Sequence, residues 1–224
     1  MTALSGAPES TRALFLALAL VVGSAGCSKT GGPGGLARLN AGTRIAAIEG
    51  QVTVSGKPAA VGRKLATGDV LEVAAGGRAE LQLSGGATAT LEGADGAPAR
   101  LEVRSEGSAV TGMVLRMPEG LGRFFLPKQK QGRLEVDGQH SVTAARGTRF
   151  LVQSRESGDR IAVREGSVDV TGTGQDKPVT VGEGEQLEVA ADGKPGKTSP
   201  YDWMAPSERN GWGGKDVERQ KGGQ

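Results

Sequence analysis

The chain has 224 residues, 37% of them hydrophobic and only 3% aromatic, and it carries 38 glycines. That much glycine excludes a helical bundle, and the lack of a strict three-residue period excludes a collagen-like rod; glycine set between short apolar runs points to tight turns joining short strands. The net charge is +2, with 20 basic and 20 acidic residues between Cys27 and Gly193, so the body lacks the charge excess of a general nucleic-acid binder.

The first recognisable segment is the apolar run "ALFLALALVV", Ala13 to Val22, preceded by Arg12 with Glu9 nearby. It is short for a membrane span, which needs about 20 residues, and fits the apolar core of a secretory signal. "GSAGC", Gly23 to Cys27, follows. Small residues before the only cysteine resemble the bacterial lipoprotein signal, in which the cysteine is lipidated and becomes the new N-terminus; Ser24 stands where that pattern prefers an aliphatic residue. The expectation is a signal peptide over 1–26, a lipid on Cys27 and a membrane as first partner. An ordinary signal peptide with an idle thiol is the alternative. Ser28 after the cysteine favours the outer membrane under the enteric sorting rule. Residues 27–42 read as a flexible linker, and a lone cysteine permits no internal disulfide.

From Thr43 onward a period of two dominates. In "QVTVSG" Val52 and Val54 share one face; in "RAELQLSGG" Ala79, Leu81 and Leu83 do, with Arg78, Glu80 and Gln82 opposite. Eleven further runs continue the style, most of them four to six residues long and ending on Gly, Asp-Gly or Glu-Gly, and no helical pattern interrupts them. The predicted fold is all-β, a β-solenoid-like stack of short strands over 43–192, with a β-sandwich as the alternative. "IAAIEGQVTV" (Ile45 to Val54) returns as "IAVREGSVDV" (Ile161 to Val170). At an offset of 116 residues, 45–75 and 161–191 share 13 identities in 31 positions without a gap. The shared pattern is strand, Glu-Gly, strand, long turn, then G[DE]xLEV.

The order "IEGQVTV" (Ile48 to Val54), "LATGDVLEV" (Leu65 to Val73), "GRAELQLSGGATATL" (Gly77 to Leu91), "HSVTAARGTRFLV" (His140 to Val152), "VREGSVDV" (Val163 to Val170) and "VGEGEQLEV" (Val181 to Val189) resembles the FecR domain of bacterial periplasmic proteins. The resemblance implies a periplasmic, β-solenoid-like interaction domain without catalysis. In the name-giving members the domain relays a signal from an outer-membrane receptor to a sigma factor, through a membrane-spanning helix and a cytoplasmic segment. Here a lipid anchor is expected in place of both, so the fold and a protein-binding role are carried over and direct sigma-factor control is not. The motif residues are Gly147, Thr148, Arg149, Phe150, Glu165, Gly166, Gly68 and Asp69, read as mainly structural.

"GRFFLPKQKQGR" places Arg123, Phe124, Phe125, Lys128, Lys130 and Arg133 in a stretch without acids. It reads either as a docking patch for an acidic partner or as a strand followed by a solvated hairpin loop. His140 is the sole histidine and has no second soft ligand, so no metal is expected. No nucleophile elbow, phosphate-binding loop or cofactor fingerprint occurs, so neither enzyme activity nor a cofactor is expected. Residues 193–224 read as a disordered Gly-, Pro- and charge-rich tail. It nevertheless holds Tyr201, Trp203 and Trp212, which either pack back onto the body or anchor a partner. The resulting expectation is a non-enzymatic, lipid-anchored envelope lipoprotein that faces the periplasm and binds protein in signalling or scaffolding. A glycan- or peptidoglycan-binding module is the alternative, and it requires exposed aromatic rings on a β face.

Overall fold

A computed structural model describes residues 42–94, 96–105, 112–128 and 132–203. These fall within one compact unit, Leu36–Gln224. The described chain is almost entirely β, with one single-turn 3-10 helix at Ser84–Gly86. In chain order the strands are β1 (Arg44–Glu49), β2 (Val52–Val54), β3 (Lys57–Pro58), β4 (Val70–Val73), β5 (Arg78–Gln82), β6 (Thr88–Glu92), β7 (Ala99–Ser105) and β8 (Met113–Phe125). They continue as β9 (Leu134–Asp137), β10 (Ser141–Ala145), β11 (Arg149–Arg155), β12 (Gly158–Glu165), β13 (Ser167–Gly172), β14 (Val179–Gly182), β15 (Glu185–Ala190) and β16 (Ser199–Pro200).

These strands form two layers that share β8. Layer A runs β1-β5-β6-β8-β11-β12-β15-β16, and layer B runs β3-β2-β4-β7-β8-β9-β10-β13-β14. Every neighbouring pair is antiparallel except β8 and β9. The first half of β8 pairs in layer B, the second half in layer A. It bends at Gly120, where a Cβ would come within 2.3 Å of the Ala99 Cβ.

The period of two explains the layering. In β5, Ala79 and Leu81 are buried while Arg78, Glu80 and Gln82 are half-exposed. Inward side chains of both layers, such as Leu81, Phe124 and Ile161 from A and Leu71, Leu115 and Val170 from B, join one core cluster. Burying each such side chain contributes about 1.5–3 kcal/mol. Phe124 and Phe150 stack within it, ring centroids 5.2 Å apart. The short strands stack as the sequence leads one to expect. The layers meet face to face as in the sandwich alternative, while the chain crosses repeatedly from one layer to the other, as a coiled arrangement requires.

The repeat marks such crossings. β1 to β2 passes from A to B at Gly50, and β12 to β13 does the same at Gly166, with φ of 75° and 82°. That left-handed backbone favours glycine, so Glu-Gly recurs because a corner recurs. Matching apolar positions are equally buried: Ile45 and Ile161 at 1% and 0% exposure, Val54 and Val170 both at 0%. The copies then diverge. β4 pairs with β2 in layer B, whereas its sequence counterpart β15 pairs with β12 in layer A.

The boundary expected at 192 falls too early. Beyond Gly193 the Gly196 N–H donates to the Glu188 carbonyl at 2.8 Å, and β16 extends layer A beyond β15. The described residues up to Trp203 therefore pack with the β body.

Candidate functional site

The FecR-like motif residues meet at one corner. β10 crosses to layer A through Arg146, Gly147 and Thr148, and Gly147 has φ of 64°. Thr148 is 2% exposed, and its carbonyl accepts the Leu126 N–H at 2.8 Å. This turn faces the Glu165-Gly166 corner: a Cβ on Gly166 would lie 2.9 Å from Thr148 Cγ2. Arg149 pairs in register with Glu165, its Nε 3.5 Å from Glu165 Oε2, and its guanidinium lies 4.6 Å from the centre of the Phe125 ring. Phe150 points the other way, into the core, at 0% exposure. Arg149 thus ties a strand end to its neighbour and covers an aromatic face.

The same corner is built a second time. Gly76 has φ of 72°, Gly77 follows, and Arg78 pairs in register with Glu49, next to Gly50. A Cβ on Gly50 would lie 3.1 Å from the Gly77 Cα. Gly76, Gly77 and Arg78 therefore play the parts of Gly147, Thr148 and Arg149. Here the cation turns along the sheet: Arg78 reaches Glu80 at 3.1 Å and Glu92 at 3.0 Å, and Glu92 also holds Arg123 at 2.5 Å. Gly68 and Asp69 shape another turn. The Gly68 N–H donates to the Val103 carbonyl, and Asp69 Oδ2 accepts the Ala66 N–H at 3.0 Å.

The basic-aromatic run does not form a single docking patch. Arg123 is 4% exposed and committed to Glu92, and Phe124 is core at 0% exposure, so both leave the candidate partner surface. Alternation is the reason: the two residues point to opposite sides of one strand, and both sides of that strand are covered. Phe125 is half-buried under Arg149. Lys128 and Arg133 are exposed, the latter 3.2 Å from Glu135; Lys130, like Cys27 and Trp212, lies outside the described residues.

A polar cluster went unnoticed in the sequence. Asp159, on β12 and 2% exposed, accepts the His140 N–H at 2.9 Å and the Ser141 hydroxyl at 2.7 Å on Oδ2. Its Oδ1 accepts the Ser154 hydroxyl at 2.6 Å, while Ser154 Oγ accepts the Gln139 N–H at 3.0 Å. The carboxylate clamps the β9–β10 turn of layer B to the β11–β12 hairpin of layer A. Gly138 must be small, since a Cβ there would lie 2.3 Å from Asp159 Oδ2. The signal was available: Asp159 is in phase with Ile161 and Val163, and a carboxylate in phase with core residues needs partners. The His140 ring Nε2 lies 3.1 Å from the Arg155 and Glu156 carbonyls, so it serves this turn. Among the described residues no three His, Cys, Asp or Glu side chains gather as a metal site, and no helix is long and apolar enough to cross a membrane.

Layer B carries two carboxyl groups that shift in opposite directions. Burial, with Glu135 nearby, pushes Asp137 above the usual aspartate range, against the pull of Arg104 and Arg116. The hydrogen bond from Arg100 holds Glu72 below the glutamate range.

On the outer side of layer A, Tyr201 and Trp203 pack against Leu121, Leu151 and Ala162. Of the alternatives for the tail aromatics, these two therefore lie on the chain's own body.

An all-β, two-layer domain with paired glycine corners is the class that this geometry defines. The profile of the family described as FecR protein matches residues 69–169, which hold the Gly147–Phe150 and Glu165-Gly166 motifs. No curated protein matches the sequence. Two crystal structures of a candidate anti-sigma factor from Parabacteroides distasonis ATCC 8503 share the fold. One has a TM-score of 0.51 at 18% identity, over 59% of this chain and 60% of that one. The other has a TM-score of 0.50 at 17% identity, over 61% of this chain and 65% of that one. The chain thus spans less than two thirds of the length of either structure.

Proposed function

We propose that this chain is a non-enzymatic bacterial envelope protein whose β domain binds another protein in a signalling role, held at the membrane by lipid on Cys27. The observation that carries the reading is the FecR match over 69–169. The anti-sigma-factor description of the structural neighbours agrees with regulation through protein contact. The corner motifs are spent on internal packing, so partner recognition falls to the outer faces of the layers. The anchor reading rests on the apolar run before Cys27, and it faces the domain toward the periplasm from the outer membrane. The glycan reading has less support, because every described aromatic ring is buried or half-buried.

Photo-crosslinking in live cells, from residues substituted on the outer faces of both layers, tests the reading. One protein captured from one face is the expected result; capture of cell-wall glycan alone would overturn it. Mass spectrometry of the mature N-terminus tests the anchor, with a diacylglyceryl mass on Cys27 expected. Cys27→Ser should release the protein from the membrane fraction, and unchanged sedimentation would refute the anchor.

A further inference from the structure

The outer side of layer A is largely polar, with Arg78, Arg123, Gln153 and Arg160 on its strands. Three apolar side chains interrupt it. Leu121, Leu151 and Ala162 stand on β8, β11 and β12, and Leu151 pairs directly with Ala162. They are 9%, 1% and 0% exposed, on the side of the sheet away from the core cluster. Tyr201 and Trp203 cover them, with the partly buried Ala94 beside them.

The cover is held along the edge of β15, where Pro195 bridges Val189 and the Gly196 N–H donates to the Glu188 carbonyl at 2.8 Å. β16 meets β15 through two residue pairs, Glu185 with Pro200 and Gln186 with Ser199. Pro200 has no N–H to add. The Tyr201 N–H donates to the Gly184 carbonyl at 2.8 Å, and Gln186 Nε2 donates to the Pro200 carbonyl at 3.3 Å. Tyr201 and Trp203 are two residues apart, so in extended chain they project to one side. Their rings meet edge to face at 4.5 Å. Ser199, Pro200 and Asp202 are exposed. β16 is an edge strand paired with β15 alone among the described strands, and an edge opens locally more often than the strands beneath it.

The geometry points to a peptide-binding site on layer A that the chain fills with its own residues 199–203, and from which an extended segment of a protein partner displaces them. The occupant is defined by what now sits there: a short strand added to the β15 edge, bearing two aromatic side chains two residues apart. Backbone pairing at a strand edge tolerates any sequence, and the two rings on Leu121, Leu151 and Ala162 supply selectivity. The chain's own latch competes with the partner, so apparent affinity falls by the fraction of time the site is closed. This inference rests on the protein-binding reading and assigns it a surface.

The test uses the full chain and a fluorescein-labelled peptide with the sequence of residues 197–204. By fluorescence anisotropy, the Tyr201→Ala/Trp203→Ala variant should bind the peptide at least tenfold more tightly than the wild type. Adding Leu151→Glu to that variant should abolish the gain. Equal affinity of the open variant and the wild type, or binding that ignores Leu151→Glu, would overturn the proposal. Hydrogen exchange on the wild type does not depend on how the variants fold. The Tyr201 N–H should exchange at least a hundredfold faster than the amides of β12, and equal protection would mean that the latch does not open. Partner capture at another surface without peptide binding would remove this site and leave the protein-binding reading standing. Peptide binding with no protein captured in cells would support the site and count against that reading.

Discussion

The two corners of the domain share a backbone and differ in how they are closed. Glu49-Gly50 against Gly76-Gly77-Arg78 and Glu165-Gly166 against Gly147-Thr148-Arg149 place the same kinds of residue in the same register. Beyond the corner they part. Where the second has Phe150, stacked on Phe124, the first has Ala79; where the second has Ser154 and Asp159, the first has Leu83 and Thr43. The first corner is closed by small apolar contacts inside and a charge ladder outside, Arg78–Glu92–Arg123. The second is closed by an aromatic pair, a buried threonine and a polar clamp between the layers. A corner thus fixes the chain path, and whatever surrounds it can supply the stability by different means.

Removing the clamp should separate the corners most strongly. Asp159→Ala leaves the Ser141 hydroxyl and the His140 N–H without their acceptor and leaves the Ser154 hydroxyl only the Pro118 carbonyl, at a cost of about 3–5 kcal/mol. Urea unfolding should show that loss. A change below about 1 kcal/mol would mean that water replaces the carboxylate and that the clamp does not hold the layers.

The charge ladder should rank next. Glu92→Gln removes the anion between Arg78 and Arg123, and the Arg123 side chain is only 3% exposed. Removing the anion beside a guanidinium this buried should cost about 2–3 kcal/mol, a figure lowered for the partial exposure of Glu92. Glu165→Gln at the second corner should cost less than about 1 kcal/mol, because the Glu165 side chain is 54% exposed. Equal urea midpoints for the two variants would show that the ladder adds nothing beyond a surface pair.

Steric fit gives a smaller contrast. Gly50→Ala and Gly166→Ala each force a side chain into a left-handed backbone, at about 1–2 kcal/mol. Gly166→Ala should be the worse, since its Cβ would meet Thr148 Cγ2 at 2.9 Å, and Thr148→Ser should remove the excess in a double-mutant cycle. Strict additivity would place the strain in the backbone alone.

How much of this was legible depends on the range of the interaction. Alternation in "RAELQL" and "GRLEV" announced strands and their inward faces, because burial on one side of a pleat prints a period of two. Glu-Gly recurring at an offset of 116 residues announced a corner, because a left-handed backbone selects glycine. The partnership of Arg123 with Glu92 was not legible, since it depends on β6 and β8 becoming neighbours across 31 residues. The layer change of β15 was hidden too: "GEQLEV" and "GDVLEV" read alike, and the neighbouring strand is set by where the preceding loop runs. Tyr201 and Trp203 announced an anchor by composition alone; that they seat on Leu121, Leu151 and Ala162 required both faces of layer A to be known.

The smallest effect contrasts two acids of layer B that titrate in opposite directions. Glu72 is held ionised by Arg100, so its folded value lies below the unfolded one. Its contribution is present above the unfolded value and is lost as pH falls through the folded value. Asp137 is raised by burial and by Glu135, so ionising it opposes folding. Its penalty is absent at low pH and grows as pH rises through the unfolded value, levelling off above the raised folded value. Asp137→Asn should therefore raise the urea midpoint at pH 7 and leave it nearly unchanged at pH 3. Glu72→Gln should lower it at pH 7, with the difference shrinking toward pH 3. If Asp137→Asn lowered the midpoint at pH 7, attraction from Arg104 and Arg116 would outweigh burial, and the two acids would belong to one ion-paired surface.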